Sequence, residues 1–184
     1  PVGQQTGPDG CRYSVDWYGR YHCYQDASRD PAGIDRLKGR LYRVRYKNTP
    51  RAPKFDLAAE SDDQLIARLA SPNIFYREIA QRLLAQRSAP ATRKRLEAIV
   101  SDDAAALTTR MHALWSLVGG GELDEAFHLR LLEAKEPALR AWGVRAAGNF
   151  RSRSASIRAA VAQAAAGGSP DETLQAVIAA AKLF

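Results

Sequence analysis

From residue 61 onward the chain repeats itself, and this repeat limits the possible folds more than any other feature. Four stretches align: YREIAQRLLA from Tyr76, TRMHALWSLV from Thr109, LRAWGVRAAG from Leu139 and ETLQAVIAAA from Glu172. In this register Arg77, Arg110, Arg140 and Thr173 share one position, at offsets of 33, 30 and 33 residues. Ala80, Ala113, Gly143 and Ala176 share a second position, and Leu84, Leu117, Ala147 and Ala180 a third. Small side chains recurring at one place allow two helices to approach closely. Pro72, Pro137 and Pro170 stand just ahead of three of these stretches, at or near a first helical turn, where a missing N–H costs little.

Each stretch follows another apolar stripe at helical spacing. The stripes are Leu65, Ile66 and Leu69; Leu96, Ile99 and Val100; Leu123, Phe127, Leu131 and Leu132; and Ile157, Val161 and Ala164. Ser61, with Asp62 and Asp63 behind it, predicts the N-cap that opens the first of these helices. The result is four helix pairs of about 30 residues each, a unit that must stack on copies of itself to bury its apolar face. Residues 61–184 therefore predict a mainly α chain, an α-α superhelix. Leu84, Leu117 and Trp142 are expected to be buried in it, and Trp115, Phe127 and Phe150 to lie at helix-packing positions.

Residues 1–47 follow a different period. Tyr13, Val15 and Trp17 alternate with Arg12, Ser14 and Asp16, and Tyr42, Val44 and Tyr46 alternate with Arg43 and Arg45. Period two with aromatic and β-branched residues marks half-buried strands. GPDG at 7–10 is a turn signal before the first strand, and Gly39 precedes the second. An antiparallel pair with both apolar rows on one face is expected, resting on the first helices or left as a sticky edge. The Tyr18–Lys38 connection is too long for an ordinary hairpin loop. Residues 48–60 read as a proline-containing linker between this segment and the helical array.

Charge narrows the function classes. The formal net charge is +7, but residues 1–54 hold 11 Lys/Arg against 5 Asp/Glu, whereas residues 55–184 hold 16 against 15. The helical part offers no phosphate-binding stripe, so nucleic acid is disfavoured as a partner. No apolar run approaches the roughly 20 residues that span a bilayer. The chain begins with proline and carries no secretory signal, and it is expected to be a piece of a longer protein.

Two resemblances follow from these residues. SPNIFYREIAQRLL, SDDAAALTTRMHALWSL and EPALRAWGVRAAG resemble HEAT repeats of the short bacterial kind, with an arginine early in the second helix and a proline or aspartate in the turn before it. Thr173 departs from that pattern and suits a capping unit or the lead into a further repeat. PDGCRYSVDWYGRYHCYQDASRDPAGIDRLKGRLYRVRYKN resembles the closing blade of the β-propeller in PVC-type bacterial membrane-bound dehydrogenases, relatives of glucose/sorbosone dehydrogenases. In that family HEAT-like repeats follow the propeller, often with a cytochrome c domain after them. The resemblance implies a non-catalytic middle section of an exported, periplasmic redox protein. Its haem c or quinone would lie outside this chain, which itself is expected to hold no cofactor. The implied partners are proteins: the remaining blades or an electron-transfer domain.

Candidate chemistry is sparse. In an exported protein Cys11 and Cys23 read most simply as a disulfide; two buried thiols are the other reading. They cannot complete a four-ligand zinc site, even with His22. Asp26, Asp30 and Asp35 could offer oxygen ligands to calcium, or cap turns. His112 and His128 stand on helices without partnered acids or serines at motif spacing, and read as packing or surface residues. C-x-x-C-H, G-x-S-x-G, P-loop and Rossmann motifs are absent from the sequence. Arg77, Arg110 and Arg140 would form a row on stacked units, serving either the stacking itself or a binding face. The main expectation is a scaffold or interaction region without catalytic residues. A nucleic-acid-binding HEAT protein related to the HEAT-like DNA glycosylases is the alternative, and a complete enzyme a distant third.

Overall fold

A computed structural model describes residues 3–16 and 39–183. The chain is mainly helical with a small N-terminal sheet, and divides into two compact units. One contains residues 1–56 and 72–76, the other residues 57–71 and 77–184.

The first unit contains three strands: β1 (Gly3–Thr6), β2 (Arg12–Asp16) and β3 (Arg40–Val44), antiparallel in the order β1-β2-β3. GPDG is the turn of the β1–β2 hairpin. Gly10 N–H donates to the Gly7 carbonyl at 3.0 Å, and Gly10 takes φ 75°, a left-handed conformation that glycine adopts without a Cβ penalty.

The β2–β3 register corrects the expected faces. Ser14 pairs with Tyr42 and Arg12 with Val44, while Tyr13 pairs with Arg43 and Val15 with Leu41. Paired residues share a face. Tyr42 and Val44 therefore lie on the face opposite Tyr13 and Val15, and the two apolar rows do not combine. Both faces expose apolar groups: Val15 is 45% exposed and Leu41 67%, Val44 61%.

A polar hub holds this sheet at one end. Asp9 Oδ1 accepts from Cys11 N–H at 3.0 Å, and its Oδ2 accepts from Tyr13 Oη at 3.1 Å and Arg43 Nε at 2.6 Å. Arg43 Nη2 also donates to the carbonyls of Thr49 and Pro50, fixing the chain as it leaves β3. In the same unit Asn73 Nδ2 donates to the Gly7 and Pro8 carbonyls, and Phe55, Phe75 and Tyr76 form an edge-on aromatic cluster. Trp17, Cys23, Asp26, Asp30, Asp35 and the Tyr18–Lys38 connection lie outside the described residues, so the disulfide and calcium expectations fall there; Cys11 is buried.

After a 3-10 turn at Leu57–Ala59 come eight helices among the described residues: α1 (Asp62–Arg68), α2 (Ile74–Arg87), α3 (Pro90–Ser101), α4 (Leu107–Gly119), α5 (Glu125–Leu132), α6 (Pro137–Asn149), α7 (Ala155–Gly167) and α8 (Pro170–Leu183). α3 packs on α4, α5 on α6 and α7 on α8, and α6 lies along α8 of the next pair, a packing consistent with a helical solenoid. Ser61 caps α1 in a reciprocal capping box with Gln64. Pro137 and Pro170 begin α6 and α8.

The apolar stripes form the interior. Leu65, Leu69, Leu84, Leu96, Leu114, Leu117 and Phe127 are at most 2% exposed and belong to one cluster. Val144, Ile157, Val161, Ala176 and Ala179 belong to a second cluster that joins α6 to the fourth pair. Trp115, Trp142 and Phe150 are half-buried against the first cluster. Small residues set the closest approach: a Cβ on Gly148 of α6 would lie 2.8 Å from Ala179 Cβ of α8.

Candidate functional site

The repeated arginines mark where the helix pairs are joined. Arg77 Nη1 donates to the Ser71 carbonyl at 2.6 Å, just past α1, while its Nε donates to His112 Nε2 of the next pair at 3.2 Å. Arg110 is buried; it donates from Nε to the Val100 carbonyl at 2.9 Å and reaches Asp103 at 3.0 Å. Arg140 Nη1 donates to the Ala134 and Lys135 carbonyls past α5, and its other nitrogens grip Glu172 of the next pair at 2.7 and 3.0 Å. The last carbonyls of a helix have no intrahelical donor. In the first three pairs one arginine donates at this end, Arg110 to a carbonyl of the last turn of α3 and Arg77 and Arg140 to carbonyls just past α1 and α5, and Arg77 and Arg140 extend the grip to the following pair.

Further side chains bond across the repeats. Thr92 donates to Asp62, Lys135 to Asp103, Ser154 to Glu125 and Lys182 to Asn149, each across 29 to 33 residues, about one repeat. Arg95 pairs with Asp63 in the same way. Arg87 donates to the Ala58 and Glu60 carbonyls and to Asp62, and Arg93 to the Leu117 and Glu122 carbonyls. Much of the array's positive charge is thus bound to its own backbone and acids.

Electrostatics follow this geometry. Glu172 is buried, accepts from both Arg140 and Ser169, and its carboxyl is held down at about 2, chiefly by the Arg140 hydrogen bonds. Ser169 and Glu172 form reciprocal capping-box bonds at the start of α8. Asp103 lies below its ordinary value through the Lys135 hydrogen bond first.

His112 is buried, and Arg77 can only donate, so Nε2 accepts and Nδ1 carries the hydrogen given to Gln81 Oε1 at 2.7 Å. Burial, then the Arg77 charge, pushes this imidazole below its ordinary value. His128 is also buried and donates from Nε2 to the Gly143 carbonyl at 2.8 Å; burial likewise lowers it. Both nitrogens of His112 are occupied by structural partners, and neither histidine has an acid or hydroxyl among its side-chain hydrogen-bond partners. Among the described residues no group of three or more His, Cys, Asp or Glu could hold a metal ion.

What remains is an aromatic surface on α4 and α6 that the core assignment of Trp115 and Trp142 does not anticipate. The Trp115 and Trp142 rings meet edge-to-face at 5.6 Å, and the His112 ring meets Trp115 edge-on at 4.9 Å. The Arg145 guanidinium stacks over Trp142 at 4.7 Å, a cation–π contact. A shallow groove beside it is lined by Ala138, Ala141, Trp142, Arg145, Asp171 and Gln175. The sequence signal for it is Arg145 three residues beyond Trp142, on the same helical face. No helix of the described residues is long and apolar enough to cross a membrane. No protein-family model, curated protein or solved structure matches the chain.

Proposed function

We propose that this chain is a non-catalytic interaction and scaffold region built from HEAT-like repeats, and that a partner protein seats on the Trp115–Trp142–Arg145 surface. The parent protein in this reading is an exported dehydrogenase of the PVC type, with its haem c or quinone outside residues 1–184. The partner is then one of its other parts, propeller blades or an electron-transfer domain. The observation that carries the interaction reading is the division of labour in the helical unit. Arg77, Arg110, Arg140, His112 and His128 are engaged in joining helices, whereas Trp142 and the stacked Arg145 line a groove, with Trp115 packed edge-to-face against Trp142.

The test has two arms. The purified chain is assayed with sugar substrates and an artificial electron acceptor, and no turnover is expected. Binding to a soluble c-type cytochrome is measured by titration calorimetry, with Trp142→Ala expected to weaken it about tenfold or more, as for a central aromatic anchor. Turnover by this chain would overturn the scaffold reading. Duplex DNA binding is measured in parallel at near-physiological salt. Salt-sensitive affinity tighter than roughly micromolar would promote the nucleic-acid alternative, in which the indoles stack on bases.

A further inference from the structure

Arg145 is bonded unlike the arginines that join the helices. Arg77, Arg87, Arg93, Arg110 and Arg140 donate to carbonyls, to acids or to a histidine. The Arg145 guanidinium instead lies over the Trp142 ring, 4.7 Å from its centroid. Stacking uses the flat face of a guanidinium and leaves its five N–H donors free at the rim. Among the described residues none of them has an acceptor. Lys182 of α8 lines the same hollow between α6 and α8, about 140 Å³ in volume, together with Asn149 and Gln175. Its ammonium makes one hydrogen bond, 3.3 Å to Asn149 Oδ1. No acid lines this hollow. The adjoining hollow shares Arg145 and Gln175 and is lined by Trp142 and Asp171. The groove therefore has a cationic end and a single acid at the other.

A following helix pair does not close this row. Arg145 and Asn149 are exposed although α8 follows α6. Arg82 and Gln86 hold the same register positions in α2, and they too are exposed although three pairs follow. What the fourth pair covers on α6 is the Val144 side, which packs with Ile157, Val161 and Ala176.

Charge identifies the occupant. Two cations with unused donors and no acid beside them suit carboxylates. A nucleic-acid backbone fits poorly: Asp171 stands in the groove, and residues 55–184 hold 16 Lys/Arg against 15 Asp/Glu, with no basic stripe to follow. From Asp171 to Lys182 the helix rises about 16 Å, the reach of about five residues of extended chain. Between the charges, Trp142 and the 48% exposed Ile178 offer apolar contact.

We propose that the α6–α8 groove binds an extended acidic peptide segment of a partner protein, with its carboxylates on Arg145 and Lys182 and a basic residue about five positions away at Asp171. This rests on the reading of the Trp142–Arg145 surface as an interaction face, and specifies the chemistry that face accepts.

The test is titration of the isotope-labelled 184-residue chain with the N-acetylated, C-amidated peptide KSLSEE, read by NMR at the Arg145 Nε–Hε resonance and the α6 and α8 amides. Saturable shifts with a dissociation constant of about 0.1–1 mM are expected, weakening about threefold or more between roughly 50 and 300 mM salt. Arg145→Gln should weaken binding about fivefold or more and Lys182→Gln about threefold, with unchanged circular dichroism because both positions are exposed. Arg82→Gln, on the same row but outside the groove, should leave it unchanged. The peptides KSLSQQ and KSLSKK should bind about tenfold more weakly or not at all. Equal affinity for KSLSQQ overturns the acid selection and leaves the interaction face standing. KSLSEE binding that survives Arg145→Gln, or no saturable shift up to about 5 mM, overturns the proposal; the cytochrome titration then decides separately whether the face binds protein. A single-stranded oligothymidylate that shifts the same resonances at lower concentration than KSLSEE overturns it in favour of nucleic acid.

Discussion

The sheet and the helical array solve the same problem in opposite ways. In the array apolar side chains are inside and charged groups bind the helix ends: Leu117 is fully buried while Arg110 and Arg140 cap carbonyls. In the sheet the most enclosed carboxylate is Asp9, side chain 2% exposed and bonded to Arg43, while Leu41, Val44 and Tyr46 are 61–76% exposed. A repeated period accumulates burial until it dominates. A short three-stranded sheet has too few inward positions for that, so turn chemistry and one enclosed ion pair set its described geometry.

The largest test of this contrast substitutes leucine in each region. Leu117→Ala leaves a cavity where the wild-type side chain is fully enclosed, and should cost about 3–4 kcal/mol in urea unfolding. Leu41→Ala, at 67% exposure, should cost less than about 0.5 kcal/mol. Comparable losses at the two sites would erase the distinction.

Acid should weaken the array in two windows. A depressed acid contributes stability that is present above its unfolded value and lost as pH falls through the folded one. Glu172 is held at about 2 against an ordinary 4.5, so its contribution fades from about pH 4.5 toward 2 and amounts to about 2–3 kcal/mol. His112 and His128, lowered by burial from 6.5, act with the same sign: unfolded imidazole takes up protons first, and stability falls as pH drops below about 6.5. Chemical denaturation from pH 8 to about 2 should show both declines, and Glu172→Gln should shrink the lower one, leaving the part due to Asp62 and Asp103, which are also held below their ordinary value. A flat profile below pH 4.5 would mean that Arg140 does not select the charged form.

How far these features were legible in the sequence depends on period. The 33, 30, 33 register places Ala80, Ala113 and Ala176 in buried contacts, and Ser61 caps α1, because helix pairing and capping are local chemistry repeated several times. β1 was missed because GQQT carries no apolar alternation; the Gly7–Gly10 turn and backbone pairing to β2 create it. The shared apolar face failed for a related reason. Alternation identifies a strand but not its register, and a one-residue shift turns every side chain over. The partners of the arginines were equally hidden: Glu172 and His112 lie 32 and 35 residues from Arg140 and Arg77, and only stacking brings them together. Trp115 and Trp142 look apolar in any window, yet their packing leaves them half-buried with Arg145 over one ring.

A smaller effect probes how tightly the array is packed. Gly148→Ala gains helix propensity, up to about 1 kcal/mol, but its Cβ would sit 2.8 Å from Ala179 Cβ and 2.9 Å from Ala179 Cα. Overpacking of this kind costs about 1–3 kcal/mol, so a net loss of about 1–2 kcal/mol is expected by thermal or urea unfolding. Ala179→Gly combined with it should recover part of the loss, since it removes one of the two clashing atoms. A stabilised single variant would show that α6 and α8 can separate freely, and that apolar contact is less exacting in the array than burial suggests.

The smallest change in global stability is expected at the sheet's polar hub, and its value lies in where it acts. Burial pushes the Asp9 carboxyl up, but hydrogen bonds from Cys11 N–H, Arg43 and Tyr13 outweigh it and hold the group below its ordinary value. Asp9→Asn keeps an acceptor for Cys11 N–H but removes the charge that Arg43 faces, leaving that guanidinium, 16% exposed, with carbonyl partners at Thr49 and Pro50. Backbone amides of β1 and β2 should then exchange with solvent about fivefold faster or more, as expected when a local opening becomes easier. Amides of α4 and α6 should keep their protection, because none of their described contacts involves Asp9. The same local weakening should appear in the wild-type chain as pH falls through the ordinary carboxylate range near 3.8, since a depressed acid loses its contribution on protonation. If the helical amides lost protection in step with the strands, the two regions would unfold as one, and the contrast between a polar-pinned sheet and an apolar-packed array would describe composition rather than stability.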